Sequence, residues 1–338
     1  MIGWRRLGAW LAASLAAATG THASAADLPG IDLARERAAI EAFQTLDQHL
    51  QDIGWKFVRG NASFCSDVVP SVGLQLQDAA SYGRSDIARA ALGLTGDFAV
   101  QTAAAGSPAA LTGAFARNRE VSAVGALDPN GWEAGESMHW ERLARLHDFI
   151  DQRLARAEPL AITFADGTRA QVAPVPVCAS RFELMNDSDR ALADGRRVVI
   201  GAGFPGFTYP EPLLAAAIAH ELAHNLLRHT AWLDREGRKR RHVRLTEREA
   251  DRLMPWLMAN AGYDPSEAQR FMRRWGKAHD GGVFRKRTHD GWDERAKLIA
   301  AEIPLIERAI AAEGRADWSR HFRREIDPAG SREVARRN

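Results

Sequence analysis

Between Glu211 and His229 the chain reads EPLLAAAIAHELAHNLLRH, and no other segment constrains the fold as much. Pro212 suits a first helical turn and Glu211 sets a carboxylate at the positive end of the dipole, so a helix is predicted from about Pro212 to His229. Leu213, Leu214, Ala216, Ala217, Ile218, Leu222 and Ala223 make this helix apolar nearly all round. Such a helix must be buried on every face, so the rest of a domain has to be built around it. Yet His220, Glu221 and His224 lie in its middle, and burying them without partners is costly.

A metal ion removes that cost. His220 and His224 are four residues apart, so both rings project from one face and can meet one tetrahedral ion. Glu221 lies roughly a quarter turn from His220, within reach of a water beside the ion without ligating it. This is the HExxH arrangement: imidazoles hold zinc, and the glutamate takes the proton of the metal-activated water attacking a peptide carbonyl, then passes it to the leaving amine.

Chance alone supplies HExxH in roughly a few chains per hundred, so the motif needs a companion. TEREADRLM, from Thr246 to Met254, provides one, because Glu247 and Asp251 share a face of the helix expected to start near Thr246. Glu247 is the candidate third ligand, and Asp251 the group that orients a ligand histidine through its other ring nitrogen. Thr246 and Glu249 also fit a capping box, which accounts for Glu249 but not for Glu247 or Asp251.

HELAH followed by EREAD resembles the gluzincin metallopeptidases of the HtpX and CAAX prenyl protease type. The similarity runs from about residue 197 to residue 302, through RVVIG before the helix, NAGYDPSEA after the second motif, and KRTHDGWDER beyond. It implies one zinc per chain on His220, His224 and Glu247, with Glu221 as general base and acid. Thr288, His289 and Arg295 match a THPxxxxR segment bordering the family's active site, with Asp290 in place of the proline. The match implies that His289 or Arg295 contacts the tetrahedral intermediate or gates the zinc; the alternative is a solvated histidine and a helix-start arginine. In gluzincins an edge strand above the helix pairs with extended substrate, which implies that role for Val198, Val199 and Ile200, with a simple core strand the equal alternative.

Where such an enzyme would work is suggested by the first 25 residues: Arg5 and Arg6, the apolar run LGAWLAASLAAATG, then Ala23-Ser24-Ala25. This reads as a secretory leader cleaved before Ala26, its apolar run being shorter than the roughly 20 residues that span a bilayer; a retained anchor is the alternative. The expected location is therefore periplasmic or otherwise exported. Outside the cytoplasm two cysteines, Cys65 and Cys178, favour a disulfide over free thiols.

Elsewhere, Ile40, Phe43, Leu46, Leu50 and Ile53 recur at helical spacing, predicting an amphipathic helix over 31–53 that packs on the catalytic core. Phe98 to Thr102 reads as a strand, leading into Gly106-Ser107-Pro108 and a short helix ending near Gly113. Leu160 to Phe164 and Ala170 to Val175 flank the turn Asp166-Gly167, a hairpin signal. This region resembles a bacterial-protease PDZ domain in the spacing of Gly106, Ser107, Ala109, Ala110, Gly113 and Gly125. It departs from that family at Arg117 and Asn118 and in an inserted loop over 128–139, and a small α+β spacer is the alternative.

The expected fold class is α+β: a mainly helical zincin-type domain with a small edge sheet, plus an inserted PDZ-like β-rich domain. The expected organisation is a leader (1–25), an N-terminal helical segment (26–95), the PDZ-like domain (96–177), the metallopeptidase domain (178–312) and a charged, flexible tail (313–338). With 45 Lys plus Arg against 43 Asp plus Glu the chain is nearly balanced, and in an exported protein its basic run does not point to nucleic acid as a partner. The basic run REGRKRRHVR, Arg235 to Arg244, reads as a solvated loop or a contact for anionic lipid headgroups. The expected function is zinc-dependent endoproteolysis of protein or peptide substrates in the cell envelope, in protein quality control. The alternative is a zinc-containing peptide-binding or chaperone-like protein of little activity.

Overall fold

A computed structural model of the chain describes residue 28 and residues 30–134, 140–279 and 291–326; the expected leader and His289 lie outside these described residues. The chain combines helices with small sheets. A long helix α1 (Leu33–Gly60) is followed by β1 (Val68–Ser71), β2 (Leu74–Asp78), α2 (Ser85–Leu92), β3 (Phe98–Ala103), α3 (Pro108–Leu111), β4 (Val121–Val124), α4 (Glu141–Ala155), β5 (Leu160–Phe164), β6 (Arg169–Val172) and β7 (Val175–Cys178). Then come β8 (Arg181–Met185), β9 (Ala191–Ala193), β10 (Arg197–Gly201), α5 (Glu211–Leu226), α6 (His229–Glu236), α7 (Arg240–Asn260), α8 (Ser266–His279), α9 (Trp292–Glu313) and α10 (Trp318–His321). Among the described residues no helix is long and apolar enough to cross a membrane.

Two main apolar cores result. One gathers Leu214, Ile218 and Leu222 of α5 with Leu253, Trp256 and Leu257 of α7, Ile299 and Ile306 of α9, and Leu50, Ile53 and Phe57 of α1. The helix expected to be buried on all sides is therefore central. The second core joins Val72 and Leu76 to Phe98, Val121, Leu146, Ile150, Leu160, Ile162 and Phe164. It draws on both sides of residue 96, because β2 pairs antiparallel with β3 and β1 pairs antiparallel with β7, Val68 opposite Cys178. The sheet unit thus spans 68–178, and strands β1 and β2 come from the segment expected to be N-terminal helix.

The Cys65–Cys178 disulfide closes the base of this unit, across a sequence separation of 113. The hairpin forms as expected: β5 and β6 pair with Thr163 opposite Arg169, and Gly167 supplies the positive φ of +79° that the turn needs. Ser107 caps α3, its Oγ accepting from the Ala110 backbone N–H at 3.2 Å.

Helix α1 runs past the predicted Ile53 to Gly60, because Trp55, Phe57 and Val58 continue its buried stripe. It serves both cores: Gln51 on α1 donates to the Phe182 carbonyl of β8 at 2.9 Å, while Gln44 donates to Gln77 of β2 at 2.7 Å. Glycine permits the approach. A Cβ on Gly60 would sit 2.2 Å from the Asn260 carbonyl oxygen at the end of α7, and one on Gly54 would run into the Phe182 ring.

The segment after Gly314 is packed as far as it is described. Trp318, Phe322 and Ile326 are buried, so the expected flexible tail is corrected through residue 326. The apolar residues of WSRHF and Ile326 are too sparse for a periodic signal, and their burial depends on surfaces supplied by other helices. In the basic run, Arg235 and Glu236 end α6, residues 237–239 form the connection, and residues 240–244 begin α7, with Arg240 and Arg241 exposed.

Candidate metal centre

Helix α5 is fixed at both ends before it presents any ligand. At its start Glu211 accepts from Lys56 of α1 and from the Tyr263 hydroxyl, each at 2.7 Å. Near its end Asn225 accepts from the Gly195 N–H at 2.8 Å and donates to Ser180 Oγ at 3.0 Å, tying the helix to the β8–β10 region. The helix stops at Leu226, short of the predicted His229, because Arg228 takes a left-handed backbone with φ of +56°. His229 therefore opens α6 instead of closing α5, and it is buried.

His220, His224 and Glu247 converge, with one donor atom from each lying within 4.8 Å of the others. His220 Nε2 is 3.3 Å from His224 Nε2 and 3.3 Å from Glu247 Oε2, while His224 Nε2 is 3.6 Å from Glu247 Oε1. A tetrahedral ion with ligand bonds of roughly 2.0–2.2 Å separates its donors by about 3.3–3.6 Å, the range of these contacts, in which Glu247 turns one carboxylate oxygen toward each histidine. This cluster could hold a metal ion, and Glu221 follows His220 on the same helix, half-buried.

The expected support is in place. Asp251, fully buried, stands one helical turn beyond Glu247 with Oδ1 3.1 Å from His220 Nδ1. That ring nitrogen is buried outside hydrogen-bonding alignment, so charge attraction holds it to Asp251. Arg295, in the first turn of α9, grips Asp251 at both oxygens, Nε to Oδ2 at 2.5 Å and Nη2 to Oδ1 at 2.7 Å, and lies 3.9 Å from Glu247. Arg295 thus contacts Asp251 and lies close to Glu247, which fits a positioning role toward the ligand set.

Charge balance follows from burial and these partners. Burial pulls the His220 imidazole down, but Asp251 and Glu247 outweigh it and hold the group up at about 10. His224 has less compensation, and burial pulls it down to about 3, leaving a neutral ring suited to ligation. Burial works to raise the Asp251 carboxyl, but Arg295 and His220 prevail and keep it below the usual carboxylate range.

Two expectations are corrected here. Val198, Val199 and Ile200 do not form an edge: β10 is the middle strand, parallel to β8 on one side and antiparallel to β9 on the other, and all three residues are buried. A central strand has no free backbone row to offer a peptide. Nor does Thr246 cap a helix. Helix α7 starts six residues earlier at Arg240, and the Thr246 hydroxyl donates to the Val243 carbonyl at 2.7 Å. Glu249 is thereby released from capping and turns inward, fully buried, against His229.

In the sequence His229 carries no expected role and Glu249 only that of a cap. The only signal was a third histidine five positions after His224, and its use depends on the turn at Arg228. No protein-family model matches this chain, and no curated protein matches it.

Proposed function

We propose that this chain is an exported zinc-dependent endopeptidase similar to the HtpX and CAAX prenyl protease type. The observation that carries this reading is the convergence of His220, His224 and Glu247, one donor atom from each within 4.8 Å of the others, with Glu221 next to His220 in the chain. Two imidazoles and one carboxylate, leaving a fourth position open, make the donor set of a catalytic zinc site rather than a closed structural one. Bound there, zinc would acidify a water molecule and polarise a substrate carbonyl.

The remaining chemistry belongs to the chain. Glu221 takes the water's proton and returns it to the departing amine, so one carboxylate serves as base and then acid. Asp251 and Arg295 keep the His220 ring turned toward the centre. If substrate backbone adds as a strand, it does so at β9, because the Phe182 carbonyl of β8 already accepts from Gln51 and Gln75, whereas Leu192 of β9 is exposed.

The unit over 68–178 is read as the PDZ-like module. Helix α4 lies against β2, with His147 Nε2 donating to the Leu76 carbonyl at 3.3 Å, and burial pulls this imidazole down to about 4. That contact occupies backbone which a peptide would need, so the module is assigned a scaffolding role.

Metal analysis together with digestion of an unfolded protein tests the proposal. Wild type should carry one zinc and cleave internal bonds, whereas Glu221→Gln should keep the zinc and lose activity by at least about a hundredfold. Equal activity in the two would sink the mechanism, and a chain without zinc would sink the site. Zinc without cleavage in wild type would favour the peptide-binding reading, and release of terminal residues alone would favour an exopeptidase.

A further inference from the structure

A chain of buried polar contacts leaves the candidate centre on the side opposite Asp251. His224 turns Nε2 toward His220 and Glu247, and its Nδ1 lies 3.0 Å from Nδ1 of His229. The other nitrogen of His229, Nε2, lies 3.0 Å from Glu249 Oε2. The direction of this chain is set by its ends. Glu249 only accepts, so a neutral His229 donates from Nε2 and accepts at Nδ1, which has His224 donate from Nδ1 and leaves its Nε2 lone pair for a metal.

Glu249 is itself locked. Arg324 donates to its Oε2 from Nε at 3.1 Å and from Nη2 at 2.7 Å, and the backbone N–H groups of Glu325 and Ile326 donate to Oε1 at 2.5 and 2.8 Å. His229 is 1 % exposed and Glu249 0 %, so both would be costly to bury for packing alone. Glu325 ties the same segment to α7 through Arg252 at 3.0 Å.

We infer that His229 and Glu249 are positioning residues for the metal ligand His224, and that residues 324–326 complete the assembly by closing over Glu249. Each ligand histidine then has its own carboxylate support, direct for His220 through Asp251 and relayed for His224 through His229. The inference rests on the metal-centre reading above and adds to it a dependence of the centre on the C-terminal segment.

The test uses the full exported chain and measures zinc affinity by chelator competition, with the ligand-field spectrum of the cobalt-substituted protein as a second readout. His229→Leu and Glu249→Gln should each weaken zinc binding by about tenfold to a hundredfold and alter the cobalt bands, and Arg324→Gln should act in the same direction. His229→Gln, which keeps one acceptor and one donor, should retain affinity within about threefold of wild type. Thermal unfolding of each metal-free variant separates lost positioning from lost folding. Variants that fold and bind zinc as tightly as wild type, with an unchanged cobalt spectrum, overturn this inference alone; a wild type that takes up no metal overturns it together with the metal-centre reading.

Discussion

Removal of the disulfide is expected to cost the protein much of its stability while sparing the candidate centre. Cys65 follows α1 and Cys178 ends β7, so the bridge encloses every strand of the sheet unit. In the folded state the β1–β7 pairing already holds these ends together, and the bridge therefore acts chiefly on the unfolded chain. Closing a loop across a separation of 113 removes unfolded-state entropy worth about 4.8 kcal/mol at 25 °C in the chain-entropy model. That is a large share of the roughly 5–15 kcal/mol by which a domain is stable. The double variant Cys65→Ala with Cys178→Ala, zinc held constant, should show a urea midpoint shifted down by several kcal/mol equivalent. Its slope should steepen, because an uncrosslinked chain exposes more surface on unfolding. Zinc content under native conditions should be unchanged, since the donors sit on α5 and α7. A loss below about 1 kcal/mol would refute the loop-closure reasoning, and loss of zinc would refute the claim that the bridge and the centre are independent.

Two further outcomes are expected. Burial works to raise the Glu249 carboxyl, but His229, Arg324 and the Ile326 N–H hold it down to about 2 against an ordinary 4.5. A carboxyl depressed on folding contributes stability above its unfolded pKa and loses it as pH falls through the folded value. Stability on the order of 3 kcal/mol should therefore disappear between about pH 4.5 and 2. An acid-unfolding curve no steeper in wild type than in Glu249→Gln would refute this. In the sheet unit, Arg142 binds Asp78 with Nε at 2.7 Å and Asp97 with Nη2 at 2.6 Å, and Asp78 is fully buried. Arg142→Leu strands that carboxylate and should cost about 3–5 kcal/mol of stability, checked by denaturant titration; a cost under about 1 kcal/mol would show that Asp78 finds another partner.

What could be read along the chain was whatever depends on spacing within one element. His220 with His224, and Glu247 with Asp251, are each four residues apart, and a helix turns that number into a shared face whatever surrounds it. The apolar faces of α5 foretold its central burial, and the Asp166-Gly167 turn foretold the β5–β6 hairpin, for the same local reason. The cysteine pairing was legible because two cysteines allow only one pairing.

Contacts between distant segments decided the rest. RVVIG became a central strand because β8 and β9 lie on its two sides, and nothing within five residues says how many neighbours a strand will have. TEREAD looked like a helix start because Thr246 and Glu249 stand at capping distance, and the polar run before it carries no apolar rhythm to show that α7 has already begun. Helix geometry separates Glu247 from Glu249 by more than half a turn, but only packing against α5, α6 and the C-terminal segment places one in the candidate metal cluster and the other against His229. His229 and Arg324 meet at Glu249 from 95 residues apart in the chain, and such a meeting is specified by the shape of the whole core, since burial energy depends on which surfaces coincide and not on order along the backbone.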